Sequence, residues 1–184
     1  AFMTNLVKFW TDLVVSLDRT IDDIPPKIKN AVIEELITVG FITDADLSHV
    51  KDAKISEMNS ICNQTIVNGF DIELSDGETH HFSLKVEDQL KISKLNDRAN
   101  AGIDILPYHA DGEECRFFSK EDVGKINAAM ENIIEFQVTY FNSLKSYIYS
   151  LNTIAEVNAI YYGIDIPKEY HSEVLEALYQ QINK

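Results

Sequence analysis

Between Lys120 and Leu151 the chain carries an unbroken helical periodicity, and no other feature constrains its fold as tightly. Val123, Ile126, Met130, Ile133, Gln137, Tyr140, Leu144, Tyr147 and Leu151 recur at alternating steps of three and four, the heptad spacing that lets helices supercoil. At ~1.5 Å per residue such a helix would reach about 45 Å, longer than a small domain needs for its own core. Ile134, Phe141 and Ile148 widen the apolar face towards more than one neighbour. Gln137 sits in mid-seam, where a polar residue fixes register or oligomeric state. Two readings stay open. The helix is the spine on which the rest packs, or part of its seam joins a second copy of the chain.

Shorter patterns surround this run. A first helix is expected from about Thr4 to Leu17, with Leu6, Trp10, Leu13, Val14 and Leu17 on one stripe and Phe9 widening it. Pro25-Pro26 breaks the pattern, and Pro26 suits the first turn of a second helix carrying Ile28, Val32, Leu36 and Val39 and ending at Gly40. Thr43 or Asp44 caps a third helix over about 46–68, closed by Gly69. Phe70 to Leu74 and His80 to Leu84 alternate around Asp76-Gly77, which predicts a β-hairpin with Phe70, Ile72, Leu74, Phe82 and Leu84 on one face. A helix over about Val86 to Ala101 follows, with Val86, Leu90, Leu95 and Ala99 expected inward. A second hairpin is expected from Ile105 to Phe118 around Asp111-Gly112. Ser119 with Asp122, and Thr153 with Glu156, have capping-box spacing. The second box opens a short helix expected to end at Gly163, and Pro167 opens a last one holding Val174, Leu175 and Leu178.

Composition narrows the function. Sixteen Lys and Arg stand against 30 Asp and Glu, a net charge of −14 over 184 residues. No basic stripe exists to displace counterions from phosphates, so nucleic acid is not an expected partner. An anionic membrane surface would repel the chain for the same reason, and no run of ~18 apolar residues predicts a membrane span. Cys62 and Cys115 are too few for a disulfide framework and fit a reducing compartment. The opening Ala1-Phe2-Met3-Thr4 lacks a basic stretch and a small-residue cleavage site, so it does not read as a secretory leader.

No reactive constellation stands out. His109, Asp111 and Cys115 are close in sequence, with His80-His81 available from the other hairpin. Their spacing matches no zinc motif, and adjacent strand histidines point to opposite faces. Cys115 and His109 lack a third, orienting group. Paired carboxylates such as Glu87-Asp88 and Glu121-Asp122 lie near helix starts, where they complement the dipole. Catalytic residues, metal ligands and cofactors are therefore all expected to be none.

The stretch from Lys54 to Leu178 resembles a domain of unknown function found in phage and prophage tail-region proteins. The resemblance is carried by Lys54-Ile55-x-Glu57-Met58, by His80-His81-Phe82-Ser83-Leu84 with Glu87-Asp88-Gln89 behind it, and by Tyr108-His109-Ala110-Asp111-Gly112-Glu113. Thr139-Tyr140-Phe141-Asn142-Ser143-Leu144-Lys145, Tyr162-Gly163 and Ile166-Pro167-x-Glu169-Tyr170 continue it in the same order. At the front, Trp10-x-x-Leu13 followed by Arg19-Thr20-Ile21-Asp22-Asp23-Ile24-Pro25, with Ile37-Thr38-Val39-Gly40-Phe41-Ile42-Thr43, is similar to short proteins encoded beside baseplate genes. Such domains occur in tail-fibre, fibre-assembly and baseplate-associated proteins.

The expected fold is α+β, with two β-hairpins packed on several helices, one of them long, and a helical N-terminal extension. Residues 1–45 are expected as a docking segment and 46–184 as the tail-associated domain. The resemblance implies a non-enzymatic structural component of a phage tail or tail-like particle, near the baseplate or fibre attachment. Its alternative is a fibre-assembly chaperone absent from the mature particle. Partners would be other tail, baseplate or fibre proteins and a second copy through the long helix. Its place would be the virion, and the host cytoplasm during assembly. Candidate interface residues are Phe9, Trp10, Leu13, Val14 and Leu17 at the front, and Gln137, Tyr140, Leu144 and Tyr147 on the long helix.

Overall fold

The computed structural model describes residues 2–41 and 44–182. Ile42 and Thr43, including the expected Thr43 cap, lie outside them. The chain runs α1 (Phe2–Val15), a 3-10 turn (Ile21–Asp23), α2 (Lys29–Thr38), α3 (Asp44–Asn68), β1 (Phe70–Glu73), β2 (Thr79–Phe82) and α4 (Val86–Asn100). Then come β3 (Pro107–Tyr108), β4 (Arg116–Phe117), α5 (Lys120–Ser150), α6 (Ile154–Asn158), a second 3-10 turn (Lys168–Tyr170) and α7 (Glu173–Ile182). The fold is α+β, predominantly helical, with two small antiparallel hairpins and α5 as its longest helix.

Two compact units divide the chain, with boundaries inside α3 and α5. One holds residues 1–58 and 144–170, the other 59–143 and 171–184. In the first, Val14, Ile24, Ile28, Val32, Ile33, Leu36 and Ile154 form a buried cluster, and Leu6, Val7, Trp10, Phe41 and Val50 pack against it. The N-terminal helices thus share their core with α6, from late in the chain. The α6 cap is the expected box: the Thr153 hydroxyl accepts from the Glu156 N–H at 3.2 Å, and the Glu156 carboxylate accepts from the Thr153 N–H at 2.9 Å.

The second unit builds its core from the hairpins. Phe70 pairs with Phe82 and Ile72 with His80, so period-two alternation puts His80 on the same face as the aromatics. Phe82 stacks on Tyr108 with ring centroids 6.2 Å apart, and Phe118 meets both rings edge-on. The His81 carbonyl accepts from the Asp111 N–H at 2.9 Å, fastening one hairpin to the other. Beneath them Asp122, in the first turn of α5, accepts from the Ser75 N–H at 2.9 Å and from the hydroxyls of Ser75 and Ser119 at 2.6 and 2.8 Å. The Ser119 hydroxyl accepts in turn from the Asp122 N–H. The Ser119 hydroxyl therefore caps the long helix, and the Asp122 carboxylate holds that hydroxyl and ties down the first hairpin's turn.

Several expected faces and boundaries differ from the structure. On α4 the inward stripe is Gln89, Ile92, Leu95 and Ala99, while Val86 and Leu90 are exposed. The Gln89 side chain donates to the Leu84 carbonyl at 2.8 Å, and that polar anchor turns the helix away from the purely apolar reading. The helix opened by Thr153 stops at Asn158, short of Gly163. Pro167 opens only the 3-10 turn Lys168–Tyr170; the last helix starts at Glu173, where the Ser172 hydroxyl accepts from the Leu175 N–H, and there Val174 faces out while Leu175 is buried. Val39 lies beyond the end of α2 and is exposed.

Candidate functional site

The end of α1 departs from the chain's own rule for ending helices. Three helices close with the same pair of bonds. After α2, Gly40 N–H bonds Ile37 O and Phe41 N–H bonds Leu36 O; after α4, Gly102 bonds Ala99 and Ile103 bonds Arg98. After α1, Leu17 N–H bonds Val14 O at 3.0 Å and Asp18 N–H bonds Leu13 O at 3.0 Å. This is the Schellman arrangement, whose pivotal residue takes the left-handed conformation and is usually glycine. Gly40 and Gly102 follow that preference at φ +73° and +81°, whereas Leu17 holds φ +62°. All other left-handed residues among those described are glycines. A Cβ in that region costs on the order of 1 kcal/mol, and Leu17 is 81 % exposed, so little burial offsets it.

The sequence-predicted interface residues separate by role. Leu17 is not part of the α1 stripe, because the helix ends two residues earlier. Val14 is 2 % exposed and belongs to the buried cluster. Trp10 and Leu13 are half-buried, and Phe9 is 56 % exposed with its ring edge-on to Trp10, centroids 6.3 Å apart. Phe9 and Leu17, with Val15 between them in sequence, are the apolar side chains at this end that the fold leaves open. On α5, Tyr140 and Leu144 are buried, as are Val123, Ile126 and Met130. Gln137 is half-buried, its main-chain carbonyl accepting from the Cys62 thiol at 3.5 Å. Tyr147 is half-buried against Tyr170, ring centroids 5.2 Å apart. Most of the seam thus belongs to the chain's own core, while Val138 and Tyr149 are exposed on the same helix.

A second surface was missed in the sequence. The outer face of the β3–β4 hairpin carries Ile105, Pro107 and Phe117, all exposed, while Leu106, Tyr108 and Phe118 fill the inner face. Pro107 lies directly opposite Phe117. The readable signal was the run Ile105-Leu106-Pro107-Tyr108, apolar at both parities where a half-buried strand should alternate.

The densest polar arrangement centres on His80. Its Nδ1 lies 2.6 Å from Glu113 Oε1 and its Nε2 3.0 Å from Asp76 Oδ2. Arg116 donates to Asp76 at 2.8 Å, brings Nη2 to 3.0 Å from His80 Nε2, and lays its guanidinium 4.6 Å above the Phe118 ring. Hydrogen bonding to Glu113, and then to Asp76, raises the imidazole above its ordinary value despite the burial that opposes it. Charged, His80 donates from both ring nitrogens. Neutral, it still donates Nδ1–H to Glu113 and accepts at Nε2 from Arg116. Asp76 is held at about 2, chiefly by the Glu78 N–H. Neighbouring His81 faces out and bonds Asp71 at 2.7 Å, which raises it as well. Two cations balanced by two carboxylates make a structural clasp between the hairpins.

His109 and Cys115 have separate surroundings. His109 donates to the Ala110 carbonyl at 3.1 Å and its ring lies beside Tyr108, while Cys115 is exposed. Burial pushes the Tyr108 hydroxyl up to about 12, so it stays neutral. Among the described residues no group of three or more His, Cys, Asp or Glu side chains is arranged to hold a metal, and no helix is long and apolar enough to cross a membrane. No family model matches the chain, and neither a curated protein nor a solved structure matches it.

Proposed function

We propose that the protein is a non-enzymatic docking component of a phage tail or tail-like particle. It would attach to a neighbouring baseplate or fibre subunit through the end of α1. The observation that carries this reading is Leu17: an exposed leucine in a backbone conformation that glycine would adopt without strain. Strain kept at a surface position points to a use for the side chain. Phe9 supplies a second exposed anchor, and Trp10 and Val14 seat the helix on its own core. Aromatic and aliphatic anchors rimmed by solvent are the usual energetic centre of an interface. The tail setting itself rests on the sequence resemblance alone.

Mass spectrometry of purified particles tests it. A structural component co-purifies at fixed stoichiometry, and Leu17→Gly and Phe9→Ala, both folded, reduce its incorporation at least tenfold. A chain bound to fibre subunits before assembly and missing from finished particles would instead be the chaperone. A chain that binds neither overturns the proposal.

A further inference from the structure

The outer face of the β3–β4 hairpin lies wholly within the second unit and stays open. Phe117 is 72 % exposed and Ile105 64 %, with Pro107, His109 and Cys115 exposed beside them. Burial alternates from Ile105 to Ala110 and from Cys115 to Phe118, so strand parity puts these five residues on one side. None of them is an acid, a lysine or an arginine. In a chain of net charge −14, an apolar face of this kind marks a contact with another polypeptide. The charges around it are sorted along the hairpin. Where the strands open lie Arg98, which donates to the Ile105 carbonyl at 2.8 Å, Lys120 at the start of α5, and Asp104. At the turn lie Asp111, Glu113, Glu114 and Arg116, of which Glu113 and Arg116 belong to the His80 clasp. One end therefore sets two cations against one anion, and the other presents the carboxylates of Asp111 and Glu114.

We infer that this face binds the same face of a second copy of the chain, with the two hairpins turned end for end. A two-fold axis at Phe117 stacks its ring on the partner's Phe117 and brings Lys120 to the partner's Glu114, since both lie three positions from the axis. Pro107, directly opposite Phe117, lies on the same axis, and Ile105 meets the partner's His109. Each copy offers the same patch, so every contact is made twice. Turned the other way, open end on open end, the copies would set Arg98 and Lys120 against like charges. Two such faces cover on the order of 1,000 Å² in total, the lower bound of a specific interface, so the pairing is weak and depends on concentration. This inference does not depend on tail docking, because none of these residues belongs to α1.

Sedimentation equilibrium of the full chain, at concentrations up to about 0.5 mM, tests it. A thiol reductant keeps Cys115 from linking copies covalently. A reversible dimer is expected. Phe117→Ser, Lys120→Glu and Glu114→Lys, all at exposed positions, each weaken it at least fivefold. An equimolar mixture of Lys120→Glu with Glu114→Lys restores it, because opposite charges then meet at both contacts. The mixture reads the pairing even if the Phe117 variant fails to fold. A monomer throughout, a dimer that folded Phe117→Ser leaves intact, or charge variants that stay apart when mixed would each overturn the inference and leave tail docking untouched.

Discussion

His80 Nδ1 stands 2.6 Å from the carboxylate of Glu113, a residue 33 positions further along the chain. The contact closes one hairpin onto the loop of the other, and it is made from groups that titrate. His80 has its pKa raised in the folded state. The stability it contributes is therefore fully present below about 6.5, the unfolded value, and is lost as pH rises through the raised folded value. Urea denaturation from pH 5.5 to 8.5 should show that decline, and Glu113→Gln should flatten it while costing about 1 kcal/mol at pH 6. A histidine titration followed by NMR should place His80 above 6.5 in the wild type and lower in that variant.

Leu17→Gly should stabilise the protein by roughly 0.5–1 kcal/mol, because glycine adopts the left-handed cap without the Cβ clash. The gain in thermal midpoint is read by calorimetry. A loss of stability would mean that Leu17 holds contacts its exposure does not suggest.

Phe9 and Val14 lie on one helix with opposite expected costs. Val14→Ala opens a hole in the cluster around Leu36 and Ile154 and should cost about 2 kcal/mol. Phe9→Ala should stay within about 0.5 kcal/mol, as surface substitutions do. Chemical denaturation of both variants separates core from docking anchor.

Asp122→Ala should cost about 2 kcal/mol, since the Ser75 N–H and two hydroxyls lose their acceptor at a buried site. Burial opposes the charged carboxylate, but the bonds from Ser75 and Ser119 outweigh it and hold the group below its ordinary value. Its contribution is present above about 3.9 and falls away as pH drops through the lowered folded value. The variant should therefore lose less stability than wild type between pH 4.5 and 2.5 in thermal unfolding.

Gly69→Ala should be the most damaging of these changes. The residue holds φ +75° between α3 and β1, and a β-carbon there would stand 1.8 Å from the Phe82 carbonyl oxygen. Relief requires moving the β1–β2 ladder, so a cost of about 3 kcal/mol or more is expected, with loss of near-ultraviolet aromatic signal from Phe82 and Tyr108.

Much of the architecture was legible because local physics wrote it. The unbroken period from Lys120 to Ser150, the boxes at Ser119 and Thr153, and the glycines at 40, 69 and 102 mark element boundaries that need only short-range bonds. Phe82 and His80 shared a face by strand parity alone. What escaped was set by distant partners: Gln89 turning towards Leu84, Ile154 completing the N-terminal core, and Glu113 meeting His80 from another loop.

The candidate site divides in the same way. Sequence alone established an amphipathic α1 with Phe9 and Trp10 on it, an acidic chain and a long apolar seam, since periodicity and charge are properties of neighbours along the chain. Only the tertiary structure decided that Val14, Tyr140 and Leu144 are core while Leu17 and Phe9 remain open. Burial is conferred by whichever segment arrives from elsewhere, and no local pattern records that arrival.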